Sequence, residues 1–123
     1  IVRGEGRAMR LHVSRRNVTI MFSDLQDFTT ISEALSHSNL LFLLTRYLSI
    51  MTRIVEAYEG IVAEILGDGL LVYWNTPDDV DQHAAKACAA ALAMTEALES
   101  MNSEFTALGL PALFVRVGIH TGT

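Results

Sequence analysis

The sequence predicts a single α+β domain, on the strength of three observations. Short runs rich in β-branched and apolar residues alternate with longer segments whose apolar residues recur every three or four positions. Two of the short runs are separated only by Gly67-Asp68-Gly69, a tight-turn sequence. Half of the 123 residues are hydrophobic, which is enough for a core without disulfides. The expected order is strand, helix pair, two-stranded hairpin, helix and strand.

The first half of the chain is predicted to form a strand and two helices. The strand is the run NVTIMFS at residues 17–23, which has no helical period. The sequence Thr30-Ile31-Ser32-Glu33 matches a capping box and predicts the start of a short helix. A second helix is predicted over 38–60, with a core-facing stripe of Leu40, Leu44, Tyr47, Leu48, Met51, Ile54, Val55 and Tyr58. Surplus apolar surface, which predicts a partner subunit, lies off that stripe at Leu41, Phe42, Leu43 and Ile50.

The second half is predicted to form the hairpin, a long helix and a last strand. The hairpin strands are residues 61–66 and 70–75, and the helix runs over 80–108. The acidic residues at its start are interpreted as caps: Asp78, Asp79 and Asp81. Cys88, the single cysteine, is interpreted as a small apolar side chain of this helix. The last strand is 113–122, in which His120 is interpreted as a strand residue rather than a catalytic base or zinc ligand.

This order is that of the ferredoxin-like, split βαβ arrangement, an antiparallel sheet with helices packed on one face. In that topology the first and third strands are antiparallel neighbours. The end of the first strand therefore lies beside the start of the third. Asp24 follows the first predicted strand and Asp68 precedes the third, so we expect the two carboxylates to be close in space.

Charge and composition restrict the partners. The net charge is −5, and five of the nine Lys and Arg residues precede position 17. Residues 1–16 are therefore expected to be a basic linker ahead of a domain at 17–123, and the acidic remainder argues against a nucleic acid polymer as ligand. The longest apolar stretch falls short of the ~20 residues of a membrane-spanning helix, and the start does not resemble a secretion signal. We expect this domain in the cytoplasm, although the whole protein could be membrane-anchored elsewhere.

Two neighbouring carboxylates at a sheet edge favour a divalent cation, because like charges held close are costly unless a cation neutralises them. Magnesium prefers one or two carboxylates together with substrate phosphates. The segment 25–30 enters a helix N-terminus, whose unpaired N–H groups can bind a phosphate anion. Each aspartate alone is nevertheless a common turn or cap residue, so a structural role stays open at this point.

Three strings carry a family resemblance: VTIMFSDLQDFTTISE (18–33), EILGDGLLVYW (64–74) and VRVGIHTG (115–122). In this order they resemble the successive signatures of class III adenylyl and guanylyl cyclases, which convert a purine nucleoside triphosphate into its 3′,5′-cyclic monophosphate and pyrophosphate for intracellular signalling. The resemblance implies that Asp24, Asp68 and the Leu25 carbonyl bind two Mg²⁺ or Mn²⁺ ions, one activating the ribose 3′-hydroxyl and one holding the triphosphate. It also implies that the β- and γ-phosphates meet the amides of Gln26, Asp27, Phe28 and Thr29.

The resemblance further implies a head-to-tail homodimer, or a heterodimer with a related domain, and an upstream regulatory domain. The family often has glycine where this chain has Asp27, which we interpret as a helix cap. Adenylyl cyclases typically have Lys at the position of Glu64, and guanylyl cyclases Glu. An ionised carboxylate cannot donate to adenine N1, so Glu64 favours GTP over ATP. The family's transition-state Asn and Arg and its second base selector are expected beyond Thr123, which would leave the domain incomplete at its C-terminus.

Two other readings compete with an active cyclase. The domain could be a catalytically inactive dimerisation or nucleotide-binding regulatory module, against which the presence of both Asp24 and Asp68 argues. It could also be a related two-metal enzyme such as a polymerase or a diguanylate cyclase. The acidic composition disfavours the polymerase, and the Gly-Asp-Gly hairpin lacks the acidic turn expected of a diguanylate cyclase.

Overall fold

The computed structural model describes residues 17–76 and 78–122. The elements are β1 (Val18–Leu25), α1 (Phe28–Ala34), α2 (His37–Ala57), β2 (Ile61–Leu66), β3 (Gly69–Trp74), α3 (His83–Ala107) and β4 (Val115–Gly122). The four strands form one antiparallel sheet in the order β2-β3-β1-β4. The predicted α+β, ferredoxin-like fold is therefore confirmed. The basic linker predicted at 1–16 lies outside the described residues.

The sheet has two different faces, as the alternation along β1 shows. Buried beneath the helices are Thr19, Met21, Ser23 and Leu25. The opposite side, called the open face below, carries Val18, Ile20, Phe22 and Asp24. Helices α2 and α3 fill the covered face with apolar side chains, and α1 adds Phe28, Ile31 and Leu35 at its margin. The open face leaves Phe22 63% exposed, so the chemistry-bearing Asp24 stands on the side that solvent reaches.

Helix α2 buries one row of side chains at intervals of four residues: Leu43, Tyr47, Met51 and Val55. Its first turn is capped by Ser36, whose hydroxyl accepts a hydrogen bond from the Asn39 N–H at 3.2 Å. Leu43 was predicted to lie off the core-facing stripe, but it is fully buried. The observed buried row is narrower than the predicted stripe and passes through Leu43. Leu41 and Phe42 are 59% and 44% exposed, as expected for the surplus apolar surface.

The predicted starts of two helices are wrong, for one shared reason. Helix α1 begins at Phe28 rather than at the Thr30 capping box, and α3 begins at His83 rather than near Val80. Each follows a residue in the left-handed backbone conformation, Asp27 (φ 58°) or Gln82 (φ 51°). Neither side chain makes a capping hydrogen bond to any described residue, so Asp27 does not act as the predicted side-chain cap.

The acidic residues predicted to cap α3 also lie elsewhere. Asp78, Asp79 and Asp81 precede the helix, and its first turn contains no acidic residue within the described chain. Cys88 was interpreted as an apolar packing residue but is exposed on α3. The small side chains that do pack against the core are Ala87 and Ala90.

Strand β1 is longer than predicted because it pairs with β4 to its last residue. Asp24 faces Arg116 and Leu25 faces Val115 in that ladder, so both site residues belong to the strand and not to the turn after it. Strand β4 begins two residues later than predicted. Leu113 is held instead by Asn102 of α3, whose side chain bonds the Leu113 N–H at 2.7 Å and its carbonyl at 2.8 Å.

The end of the sheet away from Asp24, called the packed end below, is tightly interlocked. The Trp74 indole donates to the Tyr58 carbonyl at 2.9 Å. A Cβ atom added to Gly60 would stand 2.7 Å from the Trp74 ring, so only glycine fits between the end of α2 and the sheet. The described residues contain no helix long and apolar enough to cross a bilayer.

Candidate active site

Asp24 and Asp68 meet at one end of the sheet. Asp24 is the penultimate residue of β1 and lies on the open face, whereas Asp68 occupies the turn between β2 and β3. The Leu25 N–H donates a hydrogen bond to Oδ2 of Asp68 at 2.8 Å, which ties the turn to the end of β1. The proximity expected from the topology is therefore present, because Leu25, the neighbour of Asp24 in β1, bonds the Asp68 carboxylate directly.

Arg116 is a site residue that the sequence reasoning missed. Its Nε and one terminal nitrogen donate to the two carboxylate oxygens of Asp24 at 2.9 and 3.0 Å, a two-bond fork. These hydrogen bonds, together with the negative charge of Asp24, raise the pKa of the guanidinium. The side chains of Arg116 and Asp24 are 63% and 47% exposed, so the pair adds little to stability and is free to rearrange.

Two cavities share this cluster. The larger, of about 600 Å³ on the open face, is lined by Phe22, Glu64, Leu71 and Gly118 as well as Asp24, Asp68 and Arg116. The smaller, of about 410 Å³ beside the start of α1, includes Leu25, Asp27, Phe28, Thr29 and the same three charged residues. One ligand could therefore extend through both cavities and pass the charged residues between them.

Glu64 reaches the larger cavity because the ladder between β2 and β3 shifts register. Val62 pairs with Val72, but Glu64 pairs with Leu71, which makes Ala63 an extra residue. Leu71 pairs with Phe22 on the open face. Without the extra residue, Glu64 would pair with Leu70, whose side chain is buried on the covered face. The irregularity thus brings the predicted base-selecting residue to the same side as Asp24.

The segment predicted to bind phosphates is only partly available. The Gln26 N–H donates to the Phe114 carbonyl at 2.7 Å, so this amide already has a partner in the structure, and its contact with a phosphate stays a prediction. Asp27, Phe28 and Thr29 line the smaller cavity at the start of α1. The first amides of an α-helix have no partner within the helix, which leaves these three as the candidate donors.

The donor set suits a hard cation. Within 17–76 and 78–122, no group of three or more His, Cys, Asp or Glu side chains converges. A cation at this site would therefore be held by the Asp24 and Asp68 carboxylates together with backbone and ligand oxygens, which is the pattern that Mg²⁺ prefers.

Comparison with known proteins gives consistent matches. A family model described as the adenylate and guanylate cyclase catalytic domain matches residues 12–123. Adenylate cyclase 1 of Rhizobium meliloti (strain 1021) is 43% identical over 109 residues, which are 89% of this chain and 16% of that protein. Guanylate cyclase soluble subunit beta-2 of Rattus norvegicus is 32% identical over 104 residues, 85% of this chain and 15% of that protein. The chain thus spans a minor part of these relatives.

Solved structures agree with the fold. The guanylyl cyclase Cya2 superposes with a TM-score of 0.84 at 36% identity, covering 89% of this chain and 55% of that chain. The adenylyl cyclase CyaB from P. aeruginosa superposes with a TM-score of 0.86 at 31% identity, covering 91% of this chain and 59% of that chain. The chain therefore belongs to the adenylate and guanylate cyclase catalytic domain family, the class III nucleotide cyclases.

Proposed function

We propose that the protein converts a purine nucleoside triphosphate into its 3′,5′-cyclic monophosphate and pyrophosphate at the cluster of Asp24, Asp68 and Arg116. The observation that carries the proposal is the position of this cluster between two cavities. One cavity holds Glu64, suited to a base, and the other holds the start of α1, suited to phosphates. A triphosphate spanning both would place its α-phosphate near the carboxylates.

Asp24, Asp68 and the Leu25 carbonyl are the residues that would hold two Mg²⁺ or Mn²⁺ ions. Such ions, when bound, activate the ribose 3′-hydroxyl and neutralise charge that develops on the triphosphate. The chain's own contribution is preorganisation. The backbone of Asp24 is fixed in the ladder with β4, and the Leu25 N–H holds the Asp68 carboxylate, so these two parts of the site are ordered before the substrate arrives.

Arg116 would exchange partners during binding. With Asp24 neutralised by a cation, the guanidinium loses its attraction to that carboxylate, and its planar fork suits two phosphate oxygens equally well. The amides of Asp27, Phe28 and Thr29, which line the smaller cavity, would receive the distal phosphates. In the reaction the ribose 3′-oxygen forms a bond to the α-phosphorus, the bond to the pyrophosphate oxygen breaks, and the hydroxyl proton leaves to solvent.

Glu64 supports a preference for GTP over ATP. Its carboxylate can accept hydrogen bonds from the N1–H and exocyclic amine of guanine, whereas adenine N1 offers no hydrogen to it. Its access to the larger cavity is consistent with a base-contacting role.

The active protein is proposed to pair head to tail with a second copy or a related domain. Exposed apolar side chains on α2, at the end of β2 and before β4 provide a contact surface: Leu41, Phe42, Leu66 and Phe114. We place the catalytic domain at 17–123 in the cytoplasm, where nucleoside triphosphates are available. The basic segment 1–16 would connect it to an upstream regulatory domain.

The test uses the full-length protein that contains this chain, with Asp24→Asn and Asp68→Asn as variants. We expect wild type to form cyclic GMP faster than cyclic AMP with Mg²⁺ or Mn²⁺. Each variant should lose activity by about 10²-fold or more, because a preorganised electrostatic group is removed. Asp81→Asn, an exposed aspartate away from the cluster, is the matched control and should keep full turnover.

Two outcomes would contradict the proposal in different ways. Near-wild-type turnover in both Asn variants would show that the cluster is not the catalytic site. A wild type that binds nucleotide but forms no cyclic product over a range of protein concentrations would favour the inactive regulatory module. A rise of specific activity with concentration would support pairing.

A further inference from the structure

Residues 1–16 and the rest of the chain have opposite net charges. The segment contains five arginines and one glutamate, whereas residues 17–123 contain four basic and 13 acidic residues. Its apolar residues Met9, Leu11 and Val13 alternate with polar or basic residues. The proposed reaction uses no residue of this segment. Its composition, at once basic and apolar, suits a groove that has an apolar floor and an acidic rim.

A groove of this kind lies at the packed end of the sheet. It has a volume of about 360 Å³ and is formed by the end of α2, the start of β2 and the loop after β3. Ile61 and Val80 are its apolar side chains, and Ile61 is 49% exposed. Its carboxylates belong to Glu56, Glu59, Asp78 and Asp79. The groove therefore combines exposed apolar surface with concentrated negative charge.

The charge of the groove favours a cationic partner. Lys86 of α3 forms an ion pair with Glu59, one of the four carboxylates. Like charges close together are costly unless a cation balances them. In the described part of the chain no three His, Cys, Asp or Glu side chains converge to hold a metal ion. A basic polypeptide with apolar side chains therefore fits this groove better than a metal ion does.

The chain enters the domain beside the groove. The Asn75 side chain donates from Nδ2 to the Asn17 carbonyl at 2.8 Å, and its Oδ1 accepts from the Val80 N–H at 2.7 Å. One side chain thus joins the start of β1 to a residue of the groove. Arg15 and Arg16 directly precede Asn17, and each residue of a chain spans at most about 3.3–3.6 Å. These arginines are therefore attached within a short distance of the carboxylates.

We propose that residues 1–16 dock in this groove, with arginines paired to its carboxylates and apolar side chains against Ile61 and Val80. The groove is then an intramolecular binding surface that holds the basic segment against the domain at the start of β1. The inference goes beyond the proposed function and does not depend on it, because the groove and Asp24 lie at opposite ends of the sheet.

The experiment measures how fast trypsin cleaves after the arginines of 1–16 in the folded full-length protein, with the fragments identified by mass spectrometry. The groove variant is Glu56→Gln/Asp78→Asn. The matched control is Glu96→Gln/Glu99→Gln, which removes the same charge from exposed positions of α3 outside the groove. All proteins are compared at low and high ionic strength and at low and high protein concentration.

We expect docking to protect the arginines from trypsin. Cleavage should be about 3–10-fold faster in the groove variant than in wild type, because each exposed ion pair contributes only modestly. The control should be cleaved at the wild-type rate. High ionic strength should accelerate cleavage of wild type, because salt screens exposed charge pairs. Protein concentration should have no effect, because the segment and the groove belong to one chain.

A reciprocal measurement follows backbone hydrogen exchange at 78–82 in the variant Arg15→Gln/Arg16→Gln. Exchange there should be faster than in wild type, because the docked segment no longer covers the loop. Combining these substitutions with the groove variant should add little to either change alone, because both remove the same contact. If the groove variant does not fold, the arginine variant carries the test by itself.

Equal cleavage rates in wild type and the groove variant would overturn the inference, and so would an equal acceleration in the control. Protection that increases with protein concentration would mean that the segment occupies the groove of a second copy, which contradicts docking within one chain. Protection that appears only when vesicles containing an anionic lipid are added would assign the segment to a membrane surface instead.

Discussion

The two ends of the sheet differ in how their polar and charged groups are arranged. At the packed end polar groups are paired: the Trp74 indole bonds the Tyr58 carbonyl, and the buried Thr19 hydroxyl lies 2.6 Å from His83 Nδ1. The Thr19 hydroxyl also lies 2.8 Å from the Thr121 hydroxyl. The two contacts of Thr19 together join β1, β4 and the start of α3. At the site end two carboxylates, Asp24 and Asp68, lie close together beside a cavity of about 600 Å³.

This difference indicates which end of the domain contributes most to the free energy of unfolding and which end contributes to turnover. The packed end pairs these polar groups and packs Trp74 closely against Gly60, so it is expected to contribute most to the free energy of unfolding. The site end keeps two like charges close together, an arrangement that a bound cation would neutralise. Substitutions at the packed end should therefore change the free energy of unfolding but leave turnover unchanged. Substitutions at the site end should change turnover but leave the free energy of unfolding nearly unchanged.

The largest effect is expected for Arg116→Ala. Turnover should fall by about 10²–10³-fold, because a charged donor to the triphosphate is removed. Metal-free stability should hardly change, since the ion pair with Asp24 is exposed. Mn²⁺ affinity without nucleotide should stay equal or rise, because the guanidinium no longer competes for Asp24. Steady-state kinetics and Mn²⁺ titration check this, with Arg116→Lys as the control that keeps charge but not the fork.

A drop in Mn²⁺ affinity in Arg116→Ala would show that the ion pair orients Asp24 for the metal rather than competing with it. That outcome would make Arg116 a positioning residue for Asp24.

An intermediate effect is expected for Gly60→Ala. The new methyl group would stand 2.7 Å from the Trp74 ring and 2.9 Å from Val72 Cγ1, and both of these side chains are fully buried. Unfolding free energy should fall by about 1–3 kcal/mol, measured by guanidinium unfolding, with kcat per folded molecule unchanged. Gly118→Ala is the control for stability, because an added Cβ there meets no described atom within 4 Å. A lower kcat in folded Gly60→Ala protein would contradict the expectation that substitutions at the packed end leave turnover unchanged.

The smallest effect is expected for Asp27→Gly. Glycine adopts φ 58° without the strain of about 1 kcal/mol that another residue carries there. The greater conformational entropy of glycine in the unfolded chain offsets part of this gain in folding stability. Removing the negative charge beside the smaller cavity should lower the nucleotide KM about 2–5-fold. Asp27→Asn separates the two causes, because it removes the charge and keeps a side chain. An unchanged KM in both variants would show that Asp27 points away from the phosphates.

The order of elements was predictable because periodicity and turn residues are local signals. The hairpin at Gly67-Asp68-Gly69 and the core positions Tyr47, Met51 and Val55 of α2 are examples, whereas Leu43 was missed. Together with the topology these signals were sufficient to bring Asp24 and Asp68 together. The helix starts were not predictable in the same way. Asp27 and Gln82 adopt left-handed conformations, which no local sequence pattern indicates, and the capping pattern at Thr30 does not begin α1.

The rest of the site depended on pairing between distant strands. Arg116 has no local signal beyond its place in VRVGIHTG, and only the register of β4 against β1 sets it opposite Asp24. The side of the sheet that Glu64 faces depends on the extra residue Ala63, which the regular run at 61–66 does not reveal. The occupied Gln26 amide likewise requires the Phe114 carbonyl from another part of the chain.

The irregularity at Ala63 has a consequence for how copies of the domain can associate. Strand β2 forms an outer edge of the sheet and exposes Ile61, Ile65 and Leu66, a composition that would otherwise invite another strand to add alongside it. An extra residue breaks the even row of backbone donors and acceptors that such a strand would need, and the adjacent carboxylate of Glu64 adds a charge to the edge. Addition of a strand from another copy alongside β2 is therefore disfavoured. Ala63, the extra residue that brings Glu64 to the open face, thus also disfavours growth of fibrils along this edge.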